Sequence, residues 1–574
     1  MLTSEQFYLL RDLVEEKQAL TDELISSSIG KALQSKGYIN QVAVTVSGVE
    51  ALKPFKVNNA VIMAAGFSSR FAPLSYETPK GLVTIRGEKL IERQIRQLKE
   101  AGIQNIIVVV GYKKELFKYL QDAFDVKIIE NEEFSKRNNH SSLWAIKDYL
   151  RNTYICSVDN YFVENPFHSY EEGAFYSAEF AEGETAEWCI NFDKSDKILS
   201  VQVGGKDAWY MIGHAYFDET FSKQFVEILA RVYDQEETRD QLWESIFVAH
   251  LDLLSMKIHK NQTPNIYEFD SIVDATKFDS DFFSQNSSRI FDDIEKALHV
   301  RRDQLTNIYP LKSGLTNLSC YFSVNDLGYV YRYPGVGTEK LVDRQAEFEA
   351  LKVAQQTGLD GTYLAGCSTL GWKISRFIQD ARMLNPKVDS ELQAAMQLMR
   401  KLHQLEAKIE RDFNFVKQGL KYESLWLPYV TMTDEDQWLR DAVLHLSNKI
   451  PTRDKVLTHN DFFGLNILID ASNRLHLIDW EYAGMGDEAN DYGTFVVTSL
   501  LTDEEADQAL AYYLEHEPTL EEQQHFYAFV VFAAWCWYNW ALYKEALDEC
   551  VGDWRSIYRH CATHYLDRLQ QLMG

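Results

Sequence analysis

Positive charge is what this 574-residue chain most lacks: 58 Lys and Arg stand against 85 Asp and Glu, a formal net charge of −27. Binding to nucleic acid or an anionic membrane needs the opposite balance, so neither is expected as the main task. Paired cysteines are missing too. The seven cysteines, Cys156, Cys189, Cys320, Cys367, Cys536, Cys550 and Cys561, are odd in number and include no CxxC pair. A disulfide framework or structural zinc site is therefore not expected, and free thiols in a reducing compartment are the simpler reading. The opening Met1-Leu2-Thr3-Ser4-Glu5 has no signal-peptide character. The longest apolar run, residues 526–542, is slightly short for a membrane span, contains Asn539 and is rich in aromatics. It reads as a buried helix, so no membrane insertion is expected. No internal repeat and no extended low-complexity tract occurs. The expectation is a cytoplasmic enzyme with two large domains and a small third one. Hydrophobic residues at 46% are enough to fill their cores. The oligomeric state stays open, with a homo-oligomer possible.

What is present is a phosphotransfer pattern. Thr458-His459-Asn460-Asp461 continues through Asn466, and Leu477-Ile478-Asp479-Trp480-Glu481 follows. One carboxylate on a loop, an amide five residues on and a second acid ending an apolar strand are what a kinase needs. The first handles the proton of the attacking hydroxyl, and the other two hold Mg²⁺ on nucleotide phosphates. Upstream, Ser313-Gly314-Leu315-Thr316-Asn317 forms a polar turn suited to phosphates. Arg332 lies on the strand Tyr329-Val330-Tyr331-Arg332-Tyr333, and Glu347 on a helix. A strand cation paired with a helix Glu orients phosphates in kinase-like folds. Any one of these alone could be surface decoration.

A second phosphate pattern lies about 390 residues earlier. The apolar strand Ala60-Val61-Ile62-Met63-Ala64 runs into Ala65-Gly66-Phe67-Ser68-Ser69-Arg70, with Pro79-Lys80 ten residues on. A strand ending in a Gly-bearing loop aims backbone N–H groups at an anion. Arg70 adds a planar cationic fork and Lys80 a mobile point charge. A helix at 90–101 and a strand at 106–110 continue a β/α alternation that implies a mostly parallel sheet. The alternation runs to about residue 280, and the polar stretch Ser284-Gln285-Asn286-Ser287-Ser288 is the linker candidate.

The 58–280 segment resembles the sugar-nucleotidyltransferase superfamily, and within it the bacterial CTP:phosphocholine cytidylyltransferases. The resemblance implies a nucleotide site with Ala65, Gly66, Ser68, Ser69, Asn139 and Ser141, and catalytic roles for Arg70 and Lys80. It implies Mg²⁺ on Asp159, at the end of Tyr154-Ile155-Cys156-Ser157-Val158, and on Asp270 of Tyr267-Glu268-Phe269-Asp270. Taken alone, each Asp could equally cap a helix, and so could Asn139 and Ser141. Trp188, Trp209, Tyr210, Tyr216 and Trp243 are candidates for an aromatic cage around a quaternary ammonium. Ordinary core packing is the alternative for each.

Residues 300–574 resemble the choline/ethanolamine kinase and aminoglycoside phosphotransferase superfamily, most of all the bacterial choline kinases. The resemblance implies Asp461 as catalytic base, Asn466 and Asp479 as Mg²⁺ ligands, and Glu481 supporting metal or amine. Ser313, Gly314, Thr316, Asn317, Arg332 and Glu347 would bind ATP. Arg332, in place of a lysine, suits a choline kinase. His459 is expected to brace the loop. Trp537 and Trp540, three apart on a helix, share a face and resemble a choline pocket; an aromatic core helix is the alternative.

Residues 1–57 read as a helical module: a helix at 5–16, helical turns over 21–35, then Gly37-Tyr38-Ile39 and an extended strand at 42–46. The order resembles a winged helix-turn-helix of the multiple-antibiotic-resistance regulator type. Five basic against seven acidic side chains in residues 1–55 leave no basic recognition helix, so a packing module is the stronger alternative to DNA binding.

The expected architecture is multidomain α/β and α+β. It comprises a winged-helix-like module (1–57), a Rossmann-like nucleotidyltransferase domain (58–285) and a bilobal protein-kinase-like domain (290–574). The expected chemistry is consecutive: choline plus ATP gives phosphocholine, then phosphocholine plus CTP gives CDP-choline and pyrophosphate, with Mg²⁺ at both sites. The same architecture acting on ethanolamine, another amino alcohol or a sugar is the second reading. A nucleotide-sensing regulator is the third, and the four intact acids Asp159, Asp270, Asp461 and Asp479 speak against it.

Overall fold

The computed structural model describes residues 2–261, 265–311, 317–335, 338–451, 453–547 and 549–573. The chain forms two compact units, one of residues 1–292 with 308–310, the other of 293–307 with 311–574.

The first unit is built on a seven-stranded sheet. Its order is Lys257–Lys260, Phe175–Phe192, Ile198–Phe217, Thr153–Ser157, Asn59–Ala64, Ile106–Val110 and Lys127–Glu130. The strand Asn59–Ala64 pairs in parallel with both neighbours, Ile62 opposite Val108 on one side and Cys156 on the other. Such a strand is covered on both faces, hence the unbroken run Ala60-Val61-Ile62 with no exposed position. Its C-terminal end, next to that of Thr153–Ser157, opens onto the phosphate loop. Helix Leu90–Glu100 covers one face with Leu90, Ile91, Ile95 and Leu98. The antiparallel pair Phe175–Phe192 and Ile198–Phe217 extends the sheet as a long hairpin.

In the N-terminal module, helices Ser4–Val14, Ser28–Ser35 and Val46–Leu52 enclose Phe7, Leu10, Leu33 and Leu52 together with Tyr170 of the sheet domain. Arg11 faces Glu171 at 3.6 Å, the Lys17 ammonium donates to the Phe167 carbonyl, and Glu15 accepts from the Ser169 N–H at 2.6 Å. Arg11 and Lys17, two of the five basic side chains of residues 1–55, are thus engaged by the sheet domain. The strand expected at 42–46 is not formed. Ile39 and Val44 make a single antiparallel bridge, and Thr45 then caps the helix Val46–Leu52 through the Gly48 N–H. A cap that satisfies a free helix donor outweighs the β preference of the valines.

The polar stretch 284–288 is also not a loose linker. Asn286 is buried and brackets the Thr84 backbone, accepting from its N–H and donating to its carbonyl, both at 2.8 Å. Ser288 donates to Glu77 at 2.6 Å.

The second unit starts with antiparallel strands Asn317–Val324, Leu327–Pro334, Trp372–Arg376 and Tyr363–Cys367, neighbours in that order, with helix Arg344–Thr357. Short strands at Val456–Thr458, Ile467–Ile469 and Leu475–Leu477 follow, in a mainly helical region. The helix Leu520–Ala546 is buried from His525 to Lys544 except at Phe529, which is partly buried. A helix apolar all round belongs in a core. Among the described residues, no helix is long and apolar enough to cross a membrane.

Candidate active sites

The first site is a cavity of about 320 Å³ at the end of strand Asn59–Ala64. Ala65, Gly66, Ser68, Ser69, Arg70, Lys80, Asn139, Ser141, Asp159 and Asp270 all line it, which gathers every loop, cation and acid residue expected there. Ser68, not the glycine, takes the left-handed turn, at φ 53°. A Cβ on Gly66 would meet no atom within 4 Å, so glycine here keeps the loop open to close approach by a ligand. Asn139 ties the cavity wall to the helix at Trp243–Ala249: it accepts from the Trp243 N–H at 2.7 Å and donates to Glu244 at 3.2 Å.

The Lys80 ammonium is buried and donates to Asp159 at 2.9 Å, whereas Arg70 is 69% exposed and pairs with Asp270 at 2.8 Å. The sequence reading passed over Glu268. Its carboxylate joins those of Asp159 and Asp270, with ligand oxygens all within 4.8 Å of one another. Residues 268 and 270 alternate along an extended segment and so face the same way, a signal that was available. Burial and the charges of Asp159 and Asp270 push the Glu268 carboxyl up to about 8. Burial would raise Asp159 as well, but Lys80 and a Ser157 hydrogen bond outweigh it and hold that carboxyl below the usual range. One buried oxygen of Asp159 has no hydrogen-bond partner. Three hard oxygen donors, crowded enough to hold a proton and with one oxygen unsatisfied, fit a divalent cation such as Mg²⁺.

The aromatic expectations divide. Tyr216 packs among Tyr154 and Phe175, and Trp243 among Tyr176, Phe217 and Phe225; both are core residues, 0% and 1% exposed. Trp188 and Trp209 lie half-buried on the hairpin and do not line the cavity. Tyr210 comes nearer the acids: burial with Glu179, Glu187 and Glu268 pushes its hydroxyl up to about 12. Tyr176, overlooked in the sequence, donates to Glu244 at 3.3 Å and interacts electrostatically with Glu268 and Asp159. Burial, the largest influence, pushes Glu244 up to about 7.

The second site centres on Asp461, Asn466 and Asp479. Asn466 donates to the Asp461 carboxylate at 2.9 Å. Asp479 ends the apolar strand in the left-handed region, φ 68°, which Asp tolerates better than most residues. Burial, with Asp479 and Glu481 alongside, pushes the Asp461 carboxyl well above its usual value. The carboxylates of Asp461 and Asp479 and the Asn466 amide are oxygen donors of the kind a hard divalent cation takes. His459 braces the loop as expected, its Nε2 3.0 Å from the Ile478 carbonyl. Asp491, missed in the sequence, accepts from the backbone N–H of His459 and Asn460 and bonds His403.

Arg332 and Glu347 pair, as the spacing predicts, but Arg332 also binds Asp479 and lies 3.7 Å from Glu481. Arg344 and Lys373 complete the network, with Arg344 2.7 Å and Lys373 3.4 Å from Glu347. These cations hold Glu347 ionised against its burial. Asn317, expected at the nucleotide, is buried and donates to Glu481 at 2.9 Å, so it orients an acid of the site. Ser313, Gly314 and Thr316 lie outside the described residues. Trp537 meets Tyr482 edge-to-face at 5.1 Å and Trp540 at 6.3 Å. Tyr482 follows Glu481 directly and interacts electrostatically with Asp461 and Asp479, while Tyr482, Trp537 and Trp540 are all buried in the core of this unit.

Comparison with known proteins divides the chain in the same way. Residues 60–175 match the MobA-like NTP transferase domain, and residues 308–523 the phosphotransferase enzyme family. A 2-aminoethylphosphonate cytidylyltransferase of Lancefieldella rimae is 34% identical over 38% of this chain and 92% of its own. A choline-phosphate cytidylyltransferase of Streptococcus pneumoniae is 31% identical over 40% of this chain and 99% of its own. The crystal structure of the choline kinase LicA from Streptococcus pneumoniae is 23% identical, covers 49% of this chain and 98% of that one, and superposes with a TM-score of 0.43. Through its first domain, which the cytidylyltransferase relatives match over nearly their whole length, the chain belongs to the nucleotidyltransferases, and this domain is joined in one chain to a segment that matches the phosphotransferase enzyme family.

Proposed function

We propose that the protein makes CDP-choline from choline in two consecutive steps. The observation that carries this reading is Tyr482, which packs on Trp537 and interacts electrostatically with the acids of the second site, since a quaternary ammonium binds aromatic faces near carboxylates. The likeness of the first domain to a choline-phosphate cytidylyltransferase over nearly all of that enzyme supports the second step.

In the first step the choline hydroxyl attacks the γ-phosphorus of ATP, the γ-phosphorus bond to the bridging oxygen breaks, and ADP leaves. Asp461 takes the hydroxyl proton, and its unusually basic carboxylate suits that role. In the second step a phosphate oxygen of phosphocholine attacks the α-phosphorus of CTP and pyrophosphate leaves. Lys80 and Arg70 stabilise charge as it builds on the α-phosphate, while the loop from Ala65 to Ser69 holds the triphosphate. Asp159, Glu268 and Asp270 in the first domain, and Asn466 and Asp479 in the second, would hold Mg²⁺, which neutralises phosphate charge when bound. One chain fixes the two activities at a one-to-one ratio.

The second reading keeps both steps and substitutes a primary amine. Glu244 and Glu268 beside Tyr176 favour it, because a primary ammonium donates hydrogen bonds that a trimethylammonium cannot. The 2-aminoethylphosphonate enzyme among the relatives points the same way. Mass spectrometry of a one-pot reaction with ATP, CTP, Mg²⁺ and either choline or ethanolamine separates the two. CDP-choline as the preferred product supports the first reading. Preference for ethanolamine discards the cage argument and leaves the architecture.

A further inference from the structure

The backbone that carries Lys80 has little regular structure of its own. Lys80 opens a single turn, Lys80–Leu82, which runs into a hairpin of two-residue strands, Thr84–Ile85 paired with Glu88–Lys89. Arg86 and Gly87 make its turn, both in the left-handed region at φ 48° and 87°, as a two-residue hairpin turn requires. A lone hairpin this short is marginal. Yet the Lys80 ammonium is held 2.9 Å from Asp159. Gly81 is packed so closely that a Cβ there would lie 2.3 Å from the side chain of Val158, the neighbour of Asp159. A small shift of the segment 77–87 therefore moves the cation relative to the acids.

Side chains from residues 279–288 hold that segment in place. Asp279 accepts from the Arg86 N–H at 2.6 Å, and Gln285 accepts from the Gly87 N–H at 2.7 Å. Asn286 accepts from the Thr84 N–H and donates to the Thr84 carbonyl, and its amide also donates to the Phe282 carbonyl, each at 2.8 Å. Ser288 donates to Glu77 at 2.6 Å and accepts from the Phe291 N–H at 3.3 Å. Glu77 precedes Lys80 in the chain, and Thr84, Arg86 and Gly87 follow it, so the lysine is gripped from both sides. Asp279, Asn286 and Ser288 are buried, and none of them lines the nucleotide cavity. They also fall between the two segments that match known families, 60–175 and 308–523.

We propose that residues 279–288 are a strap that positions Lys80 for nucleotidyl transfer, with Asn286 and Ser288 as positioning residues acting through Thr84 and Glu77. The proposal rests on the charge-stabilising role given to Lys80. It is tested in the full chain with CTP, Mg²⁺ and phosphocholine, each strap variant being made alone and together with Lys80→Ala. Asn286→Ala is expected to lower kcat roughly ten- to a hundredfold, the effect of a misplacement on the order of 1 Å. The KM for phosphocholine and the rate of choline phosphorylation stay unchanged. In the Lys80→Ala background the same change costs under about twofold, because a residue that acts through Lys80 has nothing left to position. Ser288→Ala follows the same pattern, and Ser288→Thr, which keeps the hydroxyl, restores the wild-type rate. That pair decides the question where Asn286→Ala fails to fold. An equal loss with and without Lys80, a raised KM at constant kcat, or a wild-type rate in Ser288→Ala overturns the strap alone. A wild-type rate in Lys80→Ala overturns the role given to Lys80, and this proposal with it.

Discussion

The two sites solve one problem, gathering carboxylates around a phosphate, with opposite use of their cations. In the first domain Lys80 and Arg70 come from loops at a strand end, and Arg70 stands largely in solvent. The acids keep an unsatisfied oxygen. In the second, the cations sit on the strands and helix themselves, and Glu347 is fully buried among three of them. An exposed cation such as Arg70 can be lost without unfolding, because water takes over. A site built into the sheet cannot, because the carboxylates left behind have no solvent. Charge and structural support are therefore separable at Arg70 and fused at Arg332.

The sharpest way to break the comparison is to silence one site at a time. Asp461→Asn is expected to slow phosphorylation of the acceptor by about a hundred- to ten-thousandfold. Nucleotidyl transfer to supplied phosphorylated acceptor should stay near wild type, with both products quantified by mass spectrometry. Lys80→Ala should do the reverse. Loss of both activities from either change would deny the sites their independence.

Next in size is the contrast between the arginines. Arg332→Met should destabilise the second unit by about 3–5 kcal/mol, the cost of leaving buried carboxylates unpaired. Arg70→Met should cost under about 1 kcal/mol while still slowing nucleotidyl transfer. Urea unfolding followed beside both activities measures this, and equal destabilisation would erase the distinction.

The aromatic residues divide similarly. Trp537→Ala should raise the KM for the acceptor about tenfold or more, in line with roughly 2 kcal/mol for a desolvated cation–π contact, with the KM for ATP unchanged. Trp243→Phe should leave both KM values near wild type, since Trp243 packs in a core. An acceptor KM that followed Trp243 rather than Trp537 would reverse the assignment.

The effect confined to acid pH concerns His214, which is ringed by Tyr154, Phe162, Phe167 and Phe175 with both nitrogens unpartnered. Burial, helped by nearby His259 and His168, pushes it down to about 3. A histidine kept neutral in the fold takes up its proton only on unfolding. Its contribution is therefore complete above about pH 6.5 and falls by about 1.4 kcal/mol per pH unit toward pH 3. His214→Phe should flatten the stability of the first unit between about pH 6 and pH 4. An unchanged slope would assign the acid sensitivity to other groups.

Much of this was legible because the residues are near in sequence. Asp461, Asn466 and Asp479 fall within one short segment, and the loop from Ala65 to Arg70 is contiguous, so spacing alone reveals the chemistry. Glu268 was missed although it sits two residues from Asp270, because facing direction depends on the local backbone. Asp491 and Lys373 carry no local pattern. Each matters only because a helix or a neighbouring strand brings it to the site. The strand expected at 42–46 failed because a threonine cap competed with β preference, and the run at 284–288 failed as a linker because its amide found a buried backbone to bracket.

By itself, then, the sequence determined the two chemistries, their order along the chain and the α/β character of the sheet domain, because apolar periodicity and short catalytic spacings are written in adjacent residues. Only the tertiary structure decided which cations are buried among carboxylates, which acids crowd together, and which aromatic lies within reach of the acids' charge. Those outcomes depend on burial and on distances between residues far apart in the chain. Burial sets the worth of every charge, and no spacing rule encodes it.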